Sequence, residues 1–293
     1  MIRKPLLLDG AMGTELQKRG INIPLPLWTA DANINYSEVV TKIHKDYINA
    51  GSNTITANTF RSTSWTYRKT GLSYAQSRKR AKESLFRGLE CANNASGGIV
   101  KVAGSITSVE DCYLPKNFPG RSYTKDVYAQ TLDWMLDAGA DIILFETMGN
   151  LEEIEIGLSL AYQYKIPIWL SIIMKDENRI LDGTLLEQVI KIAKKYLVYC
   201  ILTNCNEIDK AILTIEKIRS LWNGKWGVFP NLGITDYKNN YLKIIEKHVF
   251  TKKMQNILKI EPNIIGACCG SSPEHIKILN NLIERKNKHE IEN

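Results

Sequence analysis

The sequence lacks three features that would assign it to common classes of protein. It has no run of 18 apolar residues, which argues against a membrane-spanning helix. It has no CxxC pair, so the cysteine spacing is not that of a structural zinc ribbon. Neither a GxGxxG motif nor a P-loop follows the first apolar run, and GAMGTE fits no phosphate-binding fingerprint.

The N-terminal stretch MIRKPLLLDGAMG also lacks the features of a secretory signal. Its apolar run is too short for a signal peptide and is followed at once by an acidic residue. We therefore expect a first β-strand there and a cytoplasmic location. Six cysteines in a chain of this kind are not expected to form a disulfide framework, which leaves the thiols available for packing, metal binding or catalysis.

The composition is that of a globular protein with a basic surface. The 293 residues are 44% hydrophobic and 24% charged, and the formal net charge is +7. Many basic residues fall in helical stretches that should face water, at 67–88 and 283–293, and no basic motif with interleaved aromatic residues is present. We therefore expect small-molecule partners, with neither nucleic acid nor membrane among them; the sequence does not fix the oligomeric state.

Apolar runs alternate with helical patterns along the whole chain. Each of eight predicted strands is followed by a predicted helix, and most strands are near-continuous apolar runs, as strands buried on both faces should be. This pattern predicts a single (β/α)8 TIM barrel over residues 1–293, with a doubly wound open sheet as the alternative. The predicted strands are 6–9, 53–60, 98–106, 140–147, 167–174, 197–205, 225–233 and 263–267.

Polar and thiol side chains are concentrated where these strands end. In a (β/α)8 barrel this face carries the active site, and a random solvated rim would be richer in lysine and glutamate. The strand-end residues are Asp9, Asn58, Thr59, Ser105, Glu146, Thr147, Asn204, Cys205, Asn231, Cys268 and Cys269.

Three of these residues are cysteines, and three thiolates with an open fourth position are typical of a catalytic zinc. Cys205 ends the sixth predicted strand, and the adjacent pair Cys268 and Cys269 ends the eighth. Neighbouring residues of a regular strand point to opposite faces, so the chain must turn if both are to bind one ion; Gly266 and Gly270 would permit such a turn. Buried packing cysteines and a strained disulfide between the adjacent pair are the alternatives.

Two acidic residues, Asp9 and Glu146, fall at the same predicted face. A single carboxylate at a strand end is commonly a helix cap or half of an ion pair. Two of them near a thiolate site would suit a substrate ammonium group. The turn after Asp9 leads into a helix and offers backbone N–H groups that suit a carboxylate. Together these parts predict recognition of an amino acid.

At this point the chain resembles the homocysteine S-methyltransferase family. The matching segments cover nearly the whole sequence in the family's order. They are LLLDGAMGTELQKRG, PLW, HKDYINAGSNTITANTF, DIILFETM, TNC, PNLG and GACCGSSPEHI. The chain departs from the family's pattern at Ala267, Gly149 and Arg61. The difference at Arg61 puts the identity of the methyl donor in question.

The resemblance implies a role for each matching residue. Cys205, Cys268 and Cys269 match zinc ligands, and Asp9 and Glu146 match acidic residues that hold the homocysteine amino group. Gly10 and the turn after it match the carboxylate-binding segment. The predicted substrate-binding set is completed by Thr14, Asn58 and Thr59.

The implied activity is zinc-dependent methyl transfer to the homocysteine thiol, giving methionine. The favoured donor is a sulfonium cation, S-methylmethionine or S-adenosylmethionine. Relatives that use betaine carry a C-terminal oligomerisation extension, and relatives that use folate and cobalamin carry further domains. Neither addition is expected in this chain. Trp28, Phe60, Trp65 and Tyr113 are candidates for cation–π contact with such a donor. Betaine or another donor, and a non-catalytic zinc or redox sensor, are the alternatives. The 105–124 loop, interpreted as a lid, has no assigned role.

Overall fold

The structure is a computed structural model that describes residues 4–236 and 241–291. Eight parallel strands of the described chain form one sheet, in the order β1-β10-β7-β6-β5-β4-β3-β2. The strands are β1 (Leu6–Leu7), β2 (Thr54–Ala57), β3 (Lys101–Ile106), β4 (Ile142–Met148), β5 (Ile168–Ile172), β6 (Cys200–Glu207), β7 (Lys225–Asn231), β8 (Gly233–Asp236), β9 (Tyr241–Ile244) and β10 (Ile264–Ile265).

A parallel bridge from Leu8 to Thr54 joins the two edges of this sheet and closes it into a barrel. The predicted (β/α)8 barrel is therefore confirmed, and the open-sheet alternative is wrong. The eighth barrel strand is β10, because β8 and β9 form a separate antiparallel hairpin.

The helices surround the barrel and join its strands. The longest, α5, begins with a capping box in which Ser73 and Gln76 exchange hydrogen bonds, and it ends at Gly97 with φ of 55°. The helices are α1 (Met12–Lys18), α2 (Ala32–Asn35), α3 (Ser37–Asn49), α4 (Ser64–Arg68), α5 (Tyr74–Ser96), α6 (Arg121–Asp137), α7 (Leu151–Ala161), α8 (Leu186–Lys195), α9 (Ile208–Leu221), α10 (Lys247–Lys259) and α11 (Pro273–Ile291).

Three features differ from the sequence-based expectation. The sequence pattern predicts a helix over 241–257 after the seventh strand, but the helix begins at Lys247, because 241–244 is the strand β9. The short helices α2 and α4 were not predicted, since each is too short to show a helical period. The predicted long loop is interrupted by a 3-10 turn at Pro115–Asn117 and ends where α6 begins at Arg121.

Two layers of apolar side chains hold the fold together. The larger layer lies between the sheet and the helices, and the smaller one fills the barrel interior. The interior layer comprises Leu8, Ala103, Ile142, Leu144, Trp169, Cys200, Leu202, Phe229, Ile264 and Cys268. Cys205 and Cys269 pack against this layer, so the predicted zinc ligands lie on the apolar filling of the barrel. None of the described helices has the length and apolarity needed to cross a membrane.

Candidate metal and substrate site

The three strand-end thiols meet at the carboxyl end of the barrel. The Sγ atoms of Cys205 and Cys268 are 3.3 Å apart, and those of Cys268 and Cys269 are 4.0 Å apart. All three sulfur atoms lie within 4.8 Å of one another. Tetrahedral zinc with Zn–S bonds of about 2.3 Å separates its sulfur ligands by about 3.8 Å. The donor set and its spacing therefore fit zinc.

The adjacent cysteines share one site because the chain leaves the strand before it reaches them. β10 ends at Ile265, and Gly270 adopts φ of 86°, so the pair lies in a turn. Gly266 was also expected to permit the turn, but it is not among the glycines with positive φ. A Cβ at this position would lie 2.7 Å from Leu8 Cβ. Gly270 therefore allows the turn, whereas Gly266 allows close packing against β1.

Asn231, at the end of β7, holds the turn against β6. Its amide nitrogen donates to the Cys205 carbonyl over 3.1 Å, and its amide oxygen accepts from the Cys269 N–H over 3.2 Å. The Cys268 N–H donates to the Pro230 carbonyl over 2.8 Å. The backbones on both sides of the thiol cluster are thus fixed by β7, which lies between them in the sheet.

Without a bound cation, the surroundings of Cys205 and Cys268 favour the neutral form of these two thiols. For Cys205 the hydrogen bond with Cys268 lowers the pKa, but the hydrogen bond with Cys269 and burial outweigh it and raise the pKa to about 12. The hydrogen bonds with Cys205 and Cys269, together with burial, raise the pKa of Cys268 as well. Three closely spaced thiols of this kind become thiolates only if a cation compensates their charge.

Glu146 lies near the thiols at the end of β4 and is held from two sides. Ser105 Oγ donates to Glu146 Oε2 over 2.7 Å, and Asn204 Nδ2 donates to Oε1 over 3.3 Å. Burial, followed by the nearby Cys205 thiol, raises the pKa of this carboxyl to about 7. Among the described residues no lysine, arginine or histidine pairs with it.

Asp9, two residues after β1, is the second carboxyl of the site and is buried. The Thr56 N–H donates to Asp9 Oδ2 over 2.8 Å. Burial raises the pKa of Asp9 to about 8, and the charge of Glu146 adds to the rise. In the described part of the chain Asp9 likewise has no cationic partner. Two neighbouring carboxyls without a counterion form a site that favours an organic cation.

The turn that begins at Gly10 packs tightly against the loop after the cysteines. A Cβ on Gly10 would lie 2.5 Å from Ser271 Oγ, so only glycine fits. The Ala11 N–H donates to Ser271 Oγ over 2.9 Å. Thr14 Oγ1 accepts from the Gly270 N–H over 3.0 Å. Gly10 and Thr14 are therefore brought to the thiol cluster, where the Thr14 hydroxyl contacts protein backbone.

The other two predicted substrate-binding residues mainly connect secondary-structure elements. The Asn58 amide nitrogen donates to the Thr29 carbonyl and to Asn33 Oδ1. Thr59 Oγ1 donates to the Ser105 carbonyl over 2.7 Å and accepts from the Ser105 N–H over 2.9 Å. Thr59 thereby supports the serine that binds Glu146, and direct substrate contact by either residue stays a prediction.

The segment between β3 and α6, residues 107–120, lies beside this site and is termed the mouth loop. Glu110 attaches it to α4: Trp65 Nε1 donates to Glu110 Oε1 over 2.7 Å, and Lys69 Nζ pairs with Oε2. Arg61 Nη1 donates to the Glu110 carbonyl over 2.8 Å. Cys112, which belongs to the loop, is buried, lies outside the thiol cluster, and has its pKa raised to about 12 by burial.

Three of the aromatic residues predicted to contact the donor, Trp65, Trp28 and Phe60, have the following neighbours. Trp65 is the hydrogen-bond donor to Glu110, and its ring lies 5.3 Å from that of Tyr123. The Trp28 indole lies over the start of α1, where a Cβ on Gly13 would come within 3.1 Å of it. The Arg61 guanidinium lies 5.5 Å from the centre of the Phe60 ring. Aromatic groups thus border the site near α1 and near the mouth loop.

Two residues of the site had no role assigned from the sequence. Asn204 and Thr147 were noted only as polar residues at strand ends, yet Asn204 Nδ2 donates to Thr147 Oγ1 over 2.8 Å. Thr147 Oγ1 also lies 3.4 Å from Cys205 Sγ. Their position next to Glu146 and Cys205 in the sequence was the available signal.

Comparison with known proteins gives a consistent set of relatives. Residues 6–283 match the family described as homocysteine S-methyltransferase. The chain is 28% identical to homocysteine S-methyltransferase of Escherichia coli (strain K12), over 94% of each protein. It is 25% identical to selenocysteine Se-methyltransferase of Brassica oleracea var. italica, covering 96% of this chain and 89% of that protein.

A solved structure shows the same fold. The homocysteine methyltransferase MmuM from Escherichia coli, in its metallated form, superposes with a TM-score of 0.83 at 24% identity. The match covers 95% of this chain and 96% of that one.

Proposed function

The chain belongs to the homocysteine S-methyltransferase family, which transfers a methyl group to homocysteine, and we propose that it does so with zinc and a cationic sulfonium donor. The observation that carries the zinc requirement is the convergence of three thiols at 3.3 and 4.0 Å. The metallated form of the Escherichia coli relative supports the same assignment.

Cys205, Cys268 and Cys269 would hold the metal. Three protein thiolates are the ligand number of a catalytic zinc, and zinc lowers the pKa of a bound substrate thiol so that it is a thiolate at neutral pH. The cysteines are fixed by the Asn231 bridge and by the β10 turn, so the ligands are positioned before substrate arrives. No general base is needed for the methyl transfer itself, and no histidine is found among the described residues of the site.

Asp9 and Glu146 would bind the ammonium group of homocysteine. Asp9 is buried and Glu146 is half-buried, and among the described residues neither has a cationic partner; burial raises the pKa of Asp9 to about 8 and that of Glu146 to about 7. An ammonium group placed between them favours their ionised forms, so binding would release protons near neutral pH. The carboxylate of the same substrate would lie against the Gly10 turn, where the first N–H groups of α1 lack intrahelical partners.

The donor is assigned by charge. The acceptor site combines two carboxyls with three thiolates around one divalent ion, so it attracts a positively charged donor. A sulfonium, like the ammonium of betaine, carries that charge on the atom that loses the methyl group, but it releases a thioether, which is a better leaving group than an amine. The methyl passes to the substrate sulfur as the S–CH3 bond of the donor breaks. With S-methylmethionine as donor, both products are methionine.

A panel of donors tests this proposal. Zinc-loaded protein is incubated with homocysteine and one of four donors: S-methylmethionine, S-adenosylmethionine, betaine or methyltetrahydrofolate. Methionine is expected with a sulfonium donor and absent with the other two. Methionine formed from betaine or methyltetrahydrofolate alone would contradict the donor assignment. Equal rates with and without zinc would contradict the metal requirement.

Selenocysteine serves as a second acceptor in the same assay. The similarity to the Brassica oleracea enzyme makes a selenol a reasonable substrate for this site. Because a selenol is more acidic than a thiol, it needs less help from a metal to ionise. We therefore expect the dependence on zinc to be weaker with selenocysteine than with homocysteine.

A further inference from the structure

Asn204 occupies a central place in the site and is fully buried at the end of β6. Its side-chain oxygen accepts from the Thr147 N–H over 3.1 Å and from Ser171 Oγ over 2.7 Å. Its side-chain nitrogen donates to Thr147 Oγ1 over 2.8 Å and to Glu146 Oε1 over 3.3 Å. The same nitrogen lies 3.4 Å from Cys205 Sγ. One amide group therefore contacts both the predicted ammonium site and the thiol cluster.

The orientation of this amide is fixed by its surroundings. The Thr147 N–H can only donate, so the atom that faces it must be the oxygen of the Asn204 amide. The nitrogen must then face Glu146 and Cys205. Reversing the amide would set two N–H groups against each other and leave the Glu146 carboxylate oxygen facing an acceptor.

Asn204 also joins two strands whose backbones are irregular at the site. The register of β4 shifts between Phe145 and Met148, and that of β6 shifts between Asn204 and Glu207. Within these bulges Thr147 has φ of 58° and Cys205 has φ of 55°. This left-handed conformation is uncommon for residues other than glycine, and it is strained for Thr147, whose side chain is branched at Cβ. The Asn204 amide binds the Thr147 N–H inside the β4 bulge, so it stabilises the conformation that directs Glu146.

We propose that Asn204 is a positioning residue that couples the Cys205 thiol to the Glu146 carboxylate and so gives the metal site its preference for thiols with an α-amino group. The inference rests on the proposed function, in which Glu146 binds the homocysteine ammonium. Without Asn204, Glu146 keeps its bond from Ser105 but loses the contact that sets its distance from the metal-binding sulfur.

The test compares two ligands that differ by one group. Homocysteine and 4-mercaptobutanoate share the thiol and the carboxylate, but only homocysteine carries the α-amino group. Their dissociation constants are measured by calorimetry on zinc-loaded protein, and zinc content is measured separately by elemental analysis. We expect Asn204→Ala to weaken homocysteine binding about 10- to 50-fold and 4-mercaptobutanoate binding less than about 3-fold.

Asn206→Ala is the matched control. Asn206 lies on the same strand, is buried, and makes two hydrogen bonds to the Met174 backbone, of 2.9 and 3.0 Å. Its removal disturbs the β5–β6 connection without touching Glu146. We expect it to change the binding of both ligands by the same small factor. Equal losses for both ligands in Asn204→Ala would show a purely structural role and overturn the proposal.

Two further variants keep the test decisive. If Asn204→Ala does not fold, Ser171→Ala is used instead, because it removes one hydrogen bond that orients the Asn204 amide. It should weaken homocysteine binding selectively, by about 3-fold, and an equal effect on both ligands overturns the proposal.

Glu146→Gln separates the ammonium role of Glu146 from the positioning role of Asn204. If it fails to discriminate between the ligands, the ammonium role of Glu146 is wrong. If it discriminates and Asn204→Ala does not, only the role of Asn204 is wrong.

Discussion

The two sides of the barrel mouth are built in different ways. The side proposed to bind the acceptor, formed by Asp9, Glu146 and the three cysteines, lies at strand ends and is held by part-buried hydrogen bonds between strands. The mouth loop is attached by side chains, chiefly through Glu110, whose ion pair with Lys69 is part-exposed at 18% and 38%. The proposed acceptor site is thus part of the sheet, whereas the mouth loop lies outside it and is joined mainly to helices.

This difference separates the proposed homocysteine site from the region where the methyl donor would bind. Metal ligands and the ammonium site need fixed distances, which strands on a packed core supply. The mouth loop is held partly by the Lys69–Glu110 ion pair, which is part-exposed and contributes about 0–1 kcal/mol. Trp65 and Arg61 also donate hydrogen bonds to Glu110, and the Val109 N–H donates a buried hydrogen bond to Glu153. The variants below test whether the two sides are independent.

Removal of one metal ligand should have the largest effect. We expect Cys205→Ser to lower the zinc content from about one ion per chain to nearly none and to abolish methionine formation, because three thiolates are needed to hold the ion. Elemental analysis and the methylation assay measure the two outcomes. Cys112→Ser is the control, since Cys112 is a buried residue of the mouth loop outside the thiol cluster, and its replacement should leave zinc in place. Zinc retained in Cys205→Ser would refute the ligand assignment.

Neutralising the ammonium site should have the next largest effect. We expect Glu146→Gln to weaken homocysteine binding about 10- to 100-fold, because a charged hydrogen bond contributes roughly 1.5–3 kcal/mol. Zinc content should stay at about one ion per chain, as Gln is no larger than Glu. Calorimetry with zinc-loaded protein measures the affinity. Unchanged homocysteine affinity would contradict the ammonium role.

The cost of burying Asp9 should appear as a dependence of stability on pH. The pKa of Asp9 is raised to about 8 in the folded protein. Between pH 4 and pH 8 the folded protein therefore keeps a proton on this carboxyl that the unfolded chain has lost. The free energy of unfolding falls as the pH rises through this range. We expect Asp9→Asn to raise the free energy of unfolding by about 2–5 kcal/mol at pH 8 and by much less at pH 4. Denaturant unfolding at both pH values measures this. An equal gain at both would show that the charge is not the cause.

Detaching the mouth loop should have a smaller effect, confined to the donor. Glu110→Ala removes the contacts to Trp65 and Lys69, and we expect the KM for the sulfonium donor to rise about 3- to 10-fold. The dissociation constant of homocysteine should change less than about 2-fold. Lys69→Ala, which removes only the part-exposed ion pair, should change either constant by less than about 2-fold. A parallel loss of homocysteine affinity in Glu110→Ala would show that the two sides are coupled.

The sequence by itself determined the barrel and the face on which the site lies. Continuous apolar runs separated by helical periods require a parallel sheet covered by helices, and polar residues at the ends of the runs must then meet at one edge. The thiols of Cys205, Cys268 and Cys269 were placed together on that basis, as were Asp9 and Glu146. These features depend on local patterns, which a single chain displays directly.

Only the tertiary structure decided how the site residues are oriented. Strand periodicity sends adjacent residues to opposite faces, so it could not show how Cys268 and Cys269 share a site after β10 ends at Ile265. Nor could it locate the bulges at Thr147 and Cys205, or show that Asn204 reaches both. Such conformations are unfavourable locally and persist because hydrogen bonds from other strands hold them, and those partners are distant in the sequence.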